Sequence, residues 1–132
     1  MRLATLKRHY LNHDLPFTKN MIVPDLFTFG GYGLNKVATG SLTTMFDAHG
    51  QIWYEAVMWG LMGEKLGLVV TDFQNRRFDW YQILRDSRQG GYNERMQMVI
   101  SHNEDWHYRF LDRYEYALKN QLSGTVFQPE LS

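Results

Sequence analysis

The pattern of apolar and polar positions along this chain predicts helices. The strongest covers residues 51–66 and stops near Gly67. Within it, Glu55 is the only acid in Gln51-Ile52-Trp53-Tyr54-Glu55-Ala56-Val57-Met58-Trp59-Gly60-Leu61-Met62. Its i+3, i+4 and i+7 neighbours are Met58, Trp59 and Met62, so the carboxylate is expected against apolar surface. Helices are also expected over 92–100 and 104–121, where Met96, Val99, Trp106, Phe110, Tyr114 and Ala117 follow heptad-like spacing. Ser101-His102-Asn103-Glu104 reads as an S-x-x-E capping box and places a break near 101. Shorter helices are expected over 3–12, over 35–47 (where Gly40 weakens the pattern) and over 73–84. Leu68-Val69-Val70 reads equally as a short strand or as helix continuation.

Between these segments the chain is irregular. Pro16, Pro24 and Gly30-Gly31-Tyr32-Gly33 punctuate residues 13–34, and a coil that long is expected to lie along another protein. The glycine cluster lacks both the Gly-Lys-Ser/Thr ending and the preceding strand of a phosphate loop, so it reads as a turn. Gln89-Gly90-Gly91 is a break, and the polar tail from Ser123 is expected to be extended. The pattern as a whole predicts an all-α fold. A helix and extended arm occupy 1–34, a helical domain 35–122 and an extended tail 123–132.

Composition adds a surplus of apolar surface. A chain of 132 residues suits one small domain, yet it carries 15% aromatic residues, four Trp and seven Met. A few short helices cannot enclose all of them. Trp53, Met58, Trp59, Met62, Trp80 and Trp106 are therefore expected to present an interface to a partner protein or a membrane surface. Fourteen basic and 14 acidic residues cancel, which argues against a general nucleic-acid binder. The lack of cysteine excludes disulfides, thiolate metal sites and a Cys nucleophile. No apolar run approaches the roughly 20 residues that span a bilayer. Arg2, Lys7, Arg8, His9 and His13 precede the first acid, Asp14, and read either as a basic first helix or as a transit-like terminus.

Candidate chemistry is sparse. Glu104-Asp105-Trp106-His107, with His102 nearby, has Glu-x-x-His spacing, but its polar surroundings predict a solvated helix face. Asp47, His49 and Glu55 could form an acid–base set, although no nucleophile accompanies them.

Residues 49–98 nevertheless hold a series of elements: Glu55-Ala56-Val57, Met62-Gly63, Arg76-Arg77-Phe78, Gly90-Gly91 and Asn93-Glu94-Arg95-Met96. In order and spacing this series resembles the first half of the alternative oxidase catalytic region, a di-iron ubiquinol oxidase of ferritin-like helical architecture. His49 also has a counterpart in many members. The resemblance implies a short bundle like half of a ferritin-like di-iron fold, with Glu55 and Glu94 at ligand positions. The departures imply that the chemistry is lost. Gln97 stands where the family's Glu-x-x-His needs imidazole, Gly50 stands where an Arg commonly lies near the quinol pocket, and the remaining ligands have no counterpart in the chain. The expectation is a non-catalytic accessory subunit without metal or cofactor. It would be held by other subunits, or by lipid, in a respiratory-chain complex of the mitochondrial inner membrane. Two alternatives stay open. Two copies could pool Glu55 and Glu94 into a di-metal oxidase site, or the chain could be a virion or other assembly protein with no oxidase kinship.

Overall fold

The computed structural model describes residues 2–4, 22–25, 30–88 and 95–122. Four strands appear where the pattern predicts helix or leaves the choice open. Helix α1 (Gly31–Ala38) gives way at Gly40, whose φ of +82° reverses the chain. His102 Nδ1 donates to the Val37 carbonyl at 2.8 Å and closes the end of that helix. The expected helix over 35–47 therefore splits, and its second half becomes strand β3 (Thr44–Gln51). Helix α2 (Trp53–Lys65) forms inside the range expected for it. Gly67, at φ +79°, ends it and leads into β4 (Val69–Thr71).

Residues 72–79 form a loop in place of the start of the expected third helix, and α3 spans Trp80–Arg88. Strand β5 (Met96–Ser101) replaces the helix expected over 92–100. Helix α4 (Glu104–Leu122) starts from Asn103, whose side-chain oxygen accepts from the Trp106 N–H at 3.0 Å. Asn103, not Ser101, supplies the cap. Near the start of the chain, β1 (Arg2–Ala4) and β2 (Ile22–Asp25) are strands. The rest of the helix expected over 3–12, the Gly90-Gly91 break and the tail from Ser123 lie outside the described residues.

These strands make one five-stranded sheet of order β2-β1-β3-β5-β4. Strand β1 runs parallel to β2 and β3, whereas β5 is antiparallel to β3 and β4. Register assigns the two faces, because directly opposed residues point the same way. Thr44 faces Ser101, Phe46 faces Val99 and Thr71 faces Val99. This face is covered by α4, with the Phe46 and Phe110 ring centroids 4.8 Å apart. Met45, Ile100, Met98 and Val70 point to the opposite face. There they join Leu34 and Val37 of α1, Ala56 of α2 and Ile83 of α3 in the main core.

The fold is thus a mixed sheet between helical layers, an α/β architecture, and the all-α ferritin-like expectation is wrong. The error has a physical source. A strand covered on both faces loses its alternation, and Met96-Gln97-Met98-Val99-Ile100-Ser101 is buried at every position but Gln97.

Close packing on the core face requires glycine at one position. A Cβ on Gly60 would come 2.7 Å from Trp80 Cζ2 and 2.8 Å from Met98 Cε. Trp80 is held there by a stack on Phe78, with centroids 5.0 Å apart. Its indole N–H also donates to Glu64 at 2.9 Å.

Candidate functional site

The polar groups buried between the sheet and α4 form one hydrogen-bonded line. Strand β3 contributes Thr44, β5 contributes Ser101 directly opposite, α4 contributes His107, and β4 contributes Thr71. Thr44 Oγ1 lies 3.0 Å from Ser101 Oγ. Ser101 Oγ lies 2.7 Å from His107 Nδ1, and His107 Nε2 lies 2.7 Å from Thr71 Oγ1. Thr71 Oγ1 is also 2.8 Å from the Asp72 carbonyl, which can only accept.

That last contact sets the direction of the whole line. Thr71 donates its single proton to Asp72, so it accepts from Nε2–H. Nδ1 is then bare and accepts from Ser101, which in turn accepts from Thr44. The imidazole is neutral and Nε2-protonated. Burial, followed by the nearby Arg77 guanidinium, lowers its pKa from 6.5 to about 4.

A recess of about 220 Å³ opens beside this line, with Asn75, Arg77, Glu104 and Tyr108 at its edge and Thr71 and His107 in its wall. The 72–79 loop places Asn75 and Arg77 there. Asp72 Oδ1 accepts the N–H groups of Gln74 and Arg76, each at 2.9 Å, and Oδ2 accepts from Arg76 Nε at 2.9 Å. Asn75 takes the left-handed conformation, φ 62°, which asparagine tolerates. Chemically, the line braces the structure and offers no nucleophile. Ser101 is fully buried, its proton is turned inward, and both imidazole nitrogens are engaged with His107 only 1% exposed.

The residues singled out from sequence have different settings. His107 is buried, contrary to the solvated face expected for Glu104-Asp105-Trp106-His107. The stripe of α4 that faces the sheet is His107, Phe110, Leu111 and Tyr114, at i, i+3, i+4 and i+7. That spacing is the signal available in the sequence. Asp47 is fully buried in the middle of β3. Its carboxylate accepts from the Gly50 N–H at 3.1 Å and from the Gln51 amide. Gly50 takes φ +102°, which frees its N–H for that contact.

Glu55 lies half-buried in the first turn of α2, where a negative charge complements the helix dipole. The His49 side chain and the whole of Glu94 lie outside the described residues. Gln97 is exposed on β5. Of the residues expected at an interface, Met58 and Met62 are exposed on α2, whereas Trp53, Trp59, Trp80 and Trp106 are half-buried. Among the described residues, no three His, Asp or Glu side chains gather closely enough to hold a metal ion.

No protein-family profile and no curated protein sequence matches the chain. Solved structures do resemble it. An IMPase of Thermotoga maritima superimposes with a TM-score of 0.64 at 11% identity, over 90% of this chain and 42% of its own. An inositol monophosphatase of Zymomonas mobilis gives 0.58 at 16% identity, over 86% and 42%. A hypothetical Pyrococcus horikoshii protein, described as having similarities to inositol-1 monophosphatase, gives 0.51 at 12% identity, over 88% and 41%. The chain therefore spans about two-fifths of the length of these neighbours.

The resemblance to alternative oxidase is overturned, since the sheet and these neighbours are incompatible with a ferritin-like bundle. The respiratory accessory role and the di-metal oxidase alternative fall with it. So does the mitochondrial inner-membrane assignment, which that resemblance alone carried. Among the described residues no helix is long and apolar enough to cross a membrane. The fold is that of a portion of the inositol monophosphatases.

Proposed function

We propose that this chain is one structural unit of a phosphomonoester-handling protein of the inositol-monophosphatase kind, and that it turns over no phosphate ester by itself. The observation that carries this reading is the overlay of nine-tenths of the chain on 42% of the Thermotoga IMPase. Local chemistry supports its second half. Phosphoryl transfer needs concentrated positive charge, from metal ions or arginines, at the transferred group. The recess beside His107 offers Arg77 opposed by Glu104. A pocket able to polarise a phosphate therefore needs further polypeptide, and α2 offers a place for it. Tyr54, Met58, Leu61 and Met62 recur along one exposed face of that helix.

The test compares two preparations against an inositol monophosphate and p-nitrophenyl phosphate, with and without magnesium. One is the chain produced alone, and the other is the tagged chain recovered from its native cells with whatever it holds. Turnover is expected only in the second. Turnover by the chain alone overturns the claim that it needs completion, and absence of turnover from both overturns the phosphomonoester reading.

A further inference from the structure

A second, larger cavity lies beside the polar recess, between the 72–79 loop and α4, and has a different chemistry. Its volume is about 420 Å³, within the range of about 300–1,000 Å³ common for small-ligand pockets. Phe73, Tyr108 and Tyr114 supply aromatic surface, Leu111 an apolar floor, and Asp112 and Glu115 the charge. Among the described residues, neither lysine, arginine nor histidine lines it. We infer that this groove binds a small organic cation, an alkyl- or quaternary ammonium group, with aromatic faces around the charge and Asp112 as its counter-ion.

Three features support the assignment. Tyr108, Leu111, Asp112 and Glu115 stand at i, i+3, i+4 and i+7, so one face of α4 presents an aromatic ring, an apolar side chain and two carboxylates together. The opposite wall is fixed, because Phe73 is buried with its ring centroid 4.5 Å from that of Tyr114 and 6.1 Å from that of Phe110. The two acids also differ. Glu115 is paired with Lys119 at 3.0 Å, whereas no ion pair holds Asp112 among the described residues. Aromatic faces attract a cation through their quadrupole, and a carboxylate at the rim adds to that attraction. An anion or a phosphate ester would meet repulsion here, so the groove is distinct from any phosphate site. The inference does not rest on the phosphomonoester reading.

The probe is choline, set against neohexyl alcohol, its neutral carbon isostere, in titrations of the full chain at constant ionic strength. Changes in tyrosine ring signals by NMR report occupancy. Choline is expected to saturate in the millimolar range, with the alcohol at least roughly tenfold weaker. Asp112→Asn and Tyr108→Leu, both exposed positions whose folding circular dichroism checks, are each expected to weaken choline roughly three- to tenfold. Glu115→Gln is expected to have a smaller effect. Equal affinity for choline and the alcohol would show an apolar cavity without cation selectivity and overturn the inference. It is overturned equally if choline fails to saturate, or if Asp112→Asn leaves its affinity unchanged.

Discussion

His107 Nε2 donates to Thr71 Oγ1 across 2.7 Å and ties α4 to the edge strand β4. The imidazole is neutral because burial disfavours its charged form and Arg77 adds to that effect. Its folded-state pKa of about 4 lies below the ordinary 6.5. Above 6.5 the ring is neutral in folded and unfolded chains alike, and its contribution to stability is fully present. As the pH falls from 6.5 toward about 4, the unfolded chain takes up a proton that the folded chain refuses, and stability is lost. At ~1.4 kcal/mol per unit, the loss amounts to about 3 kcal/mol. Urea midpoints measured from neutral pH down to about pH 5 should fall more steeply for the wild type than for His107→Gln. Parallel slopes would place the proton elsewhere.

Removing the ring altogether tests the line as a structural brace. His107→Ala leaves the Ser101 proton without its acceptor and Thr71 Oγ1 without its donor in a buried space, and opens a cavity where the ring stood. A loss of about 2–4 kcal/mol is expected in equilibrium unfolding. Ser101→Ala removes a hydroxyl from the middle of the same line, so the two changes should be strongly non-additive in a double-mutant cycle. Additive losses would mean that the hydroxyls and the ring act independently.

Parts of this arrangement are legible in the sequence and parts are not. Helix α4 announces itself because it has one wet face, so its apolar residues recur with helical period. Helix α2 is apolar on its exposed side as well, and is legible from its length and from Gly67 at its end. Strands β3 and β5 lie between α4 on one face and α1, α2 and α3 on the other. Their burial runs through successive residues, and Met98-Val99-Ile100 carries no alternation that separates strand from helix. Pairings such as Phe46 with Val99, far apart along the chain, are invisible to any local window. The site follows the same division. His107 is visible as a residue, but a stripe of α4 phased on Trp106 puts it on the wet face, when His107, Phe110, Leu111 and Tyr114 in fact face the sheet. Glu55 stands out as a lone acid among apolar helical neighbours and gains a ligand role only from a resemblance of scattered identities, whereas its position in the first turn of α2 has a sufficient cause in the helix dipole.

Gly60 is a further test of the core. Its Cα approaches the Trp80 ring and the Met98 methyl so closely that a methyl group has no room, and both neighbours are themselves packed. Gly60→Ala is expected to destabilise by about 1–3 kcal/mol despite the better helix propensity of alanine, with a shift in tryptophan emission. A stabilised variant would mean that α3 can move away from α2 freely.

The Trp80 indole N–H and the Glu64 carboxylate form a charge-assisted bond at 2.9 Å. Trp80→Phe keeps a ring over Gly60 but removes the donor. Loss of that bond alone is expected to destabilise by about 1–3 kcal/mol. Glu64→Gln retains an acceptor and should lose less. If Glu64→Gln proves as damaging as Trp80→Phe, the carboxylate charge rather than the indole contact holds the pair.

The exposed face of α2 makes the last prediction. Met58 and Met62 are each 46% exposed, and Tyr54 and Leu61 flank them on adjoining turns. None of these side chains belongs to the main core, whereas Ala56, Gly60 and Gly63 on the other side of the helix are buried against it. Lysine at both methionine positions should therefore leave unfolding stability within about 0.5 kcal/mol of wild type, because little buried contact is lost. It should nevertheless abolish whatever association that face supports, since two charges would have to be desolvated in an apolar contact. Sedimentation velocity on the chain made alone, and recovery of partner polypeptide by the tagged chain, are the two readouts. Unchanged stability with lost association identifies α2 as the docking surface. Unchanged association would move the contact to another face, and a large stability loss would show that Met58 and Met62 are packed within the fold itself.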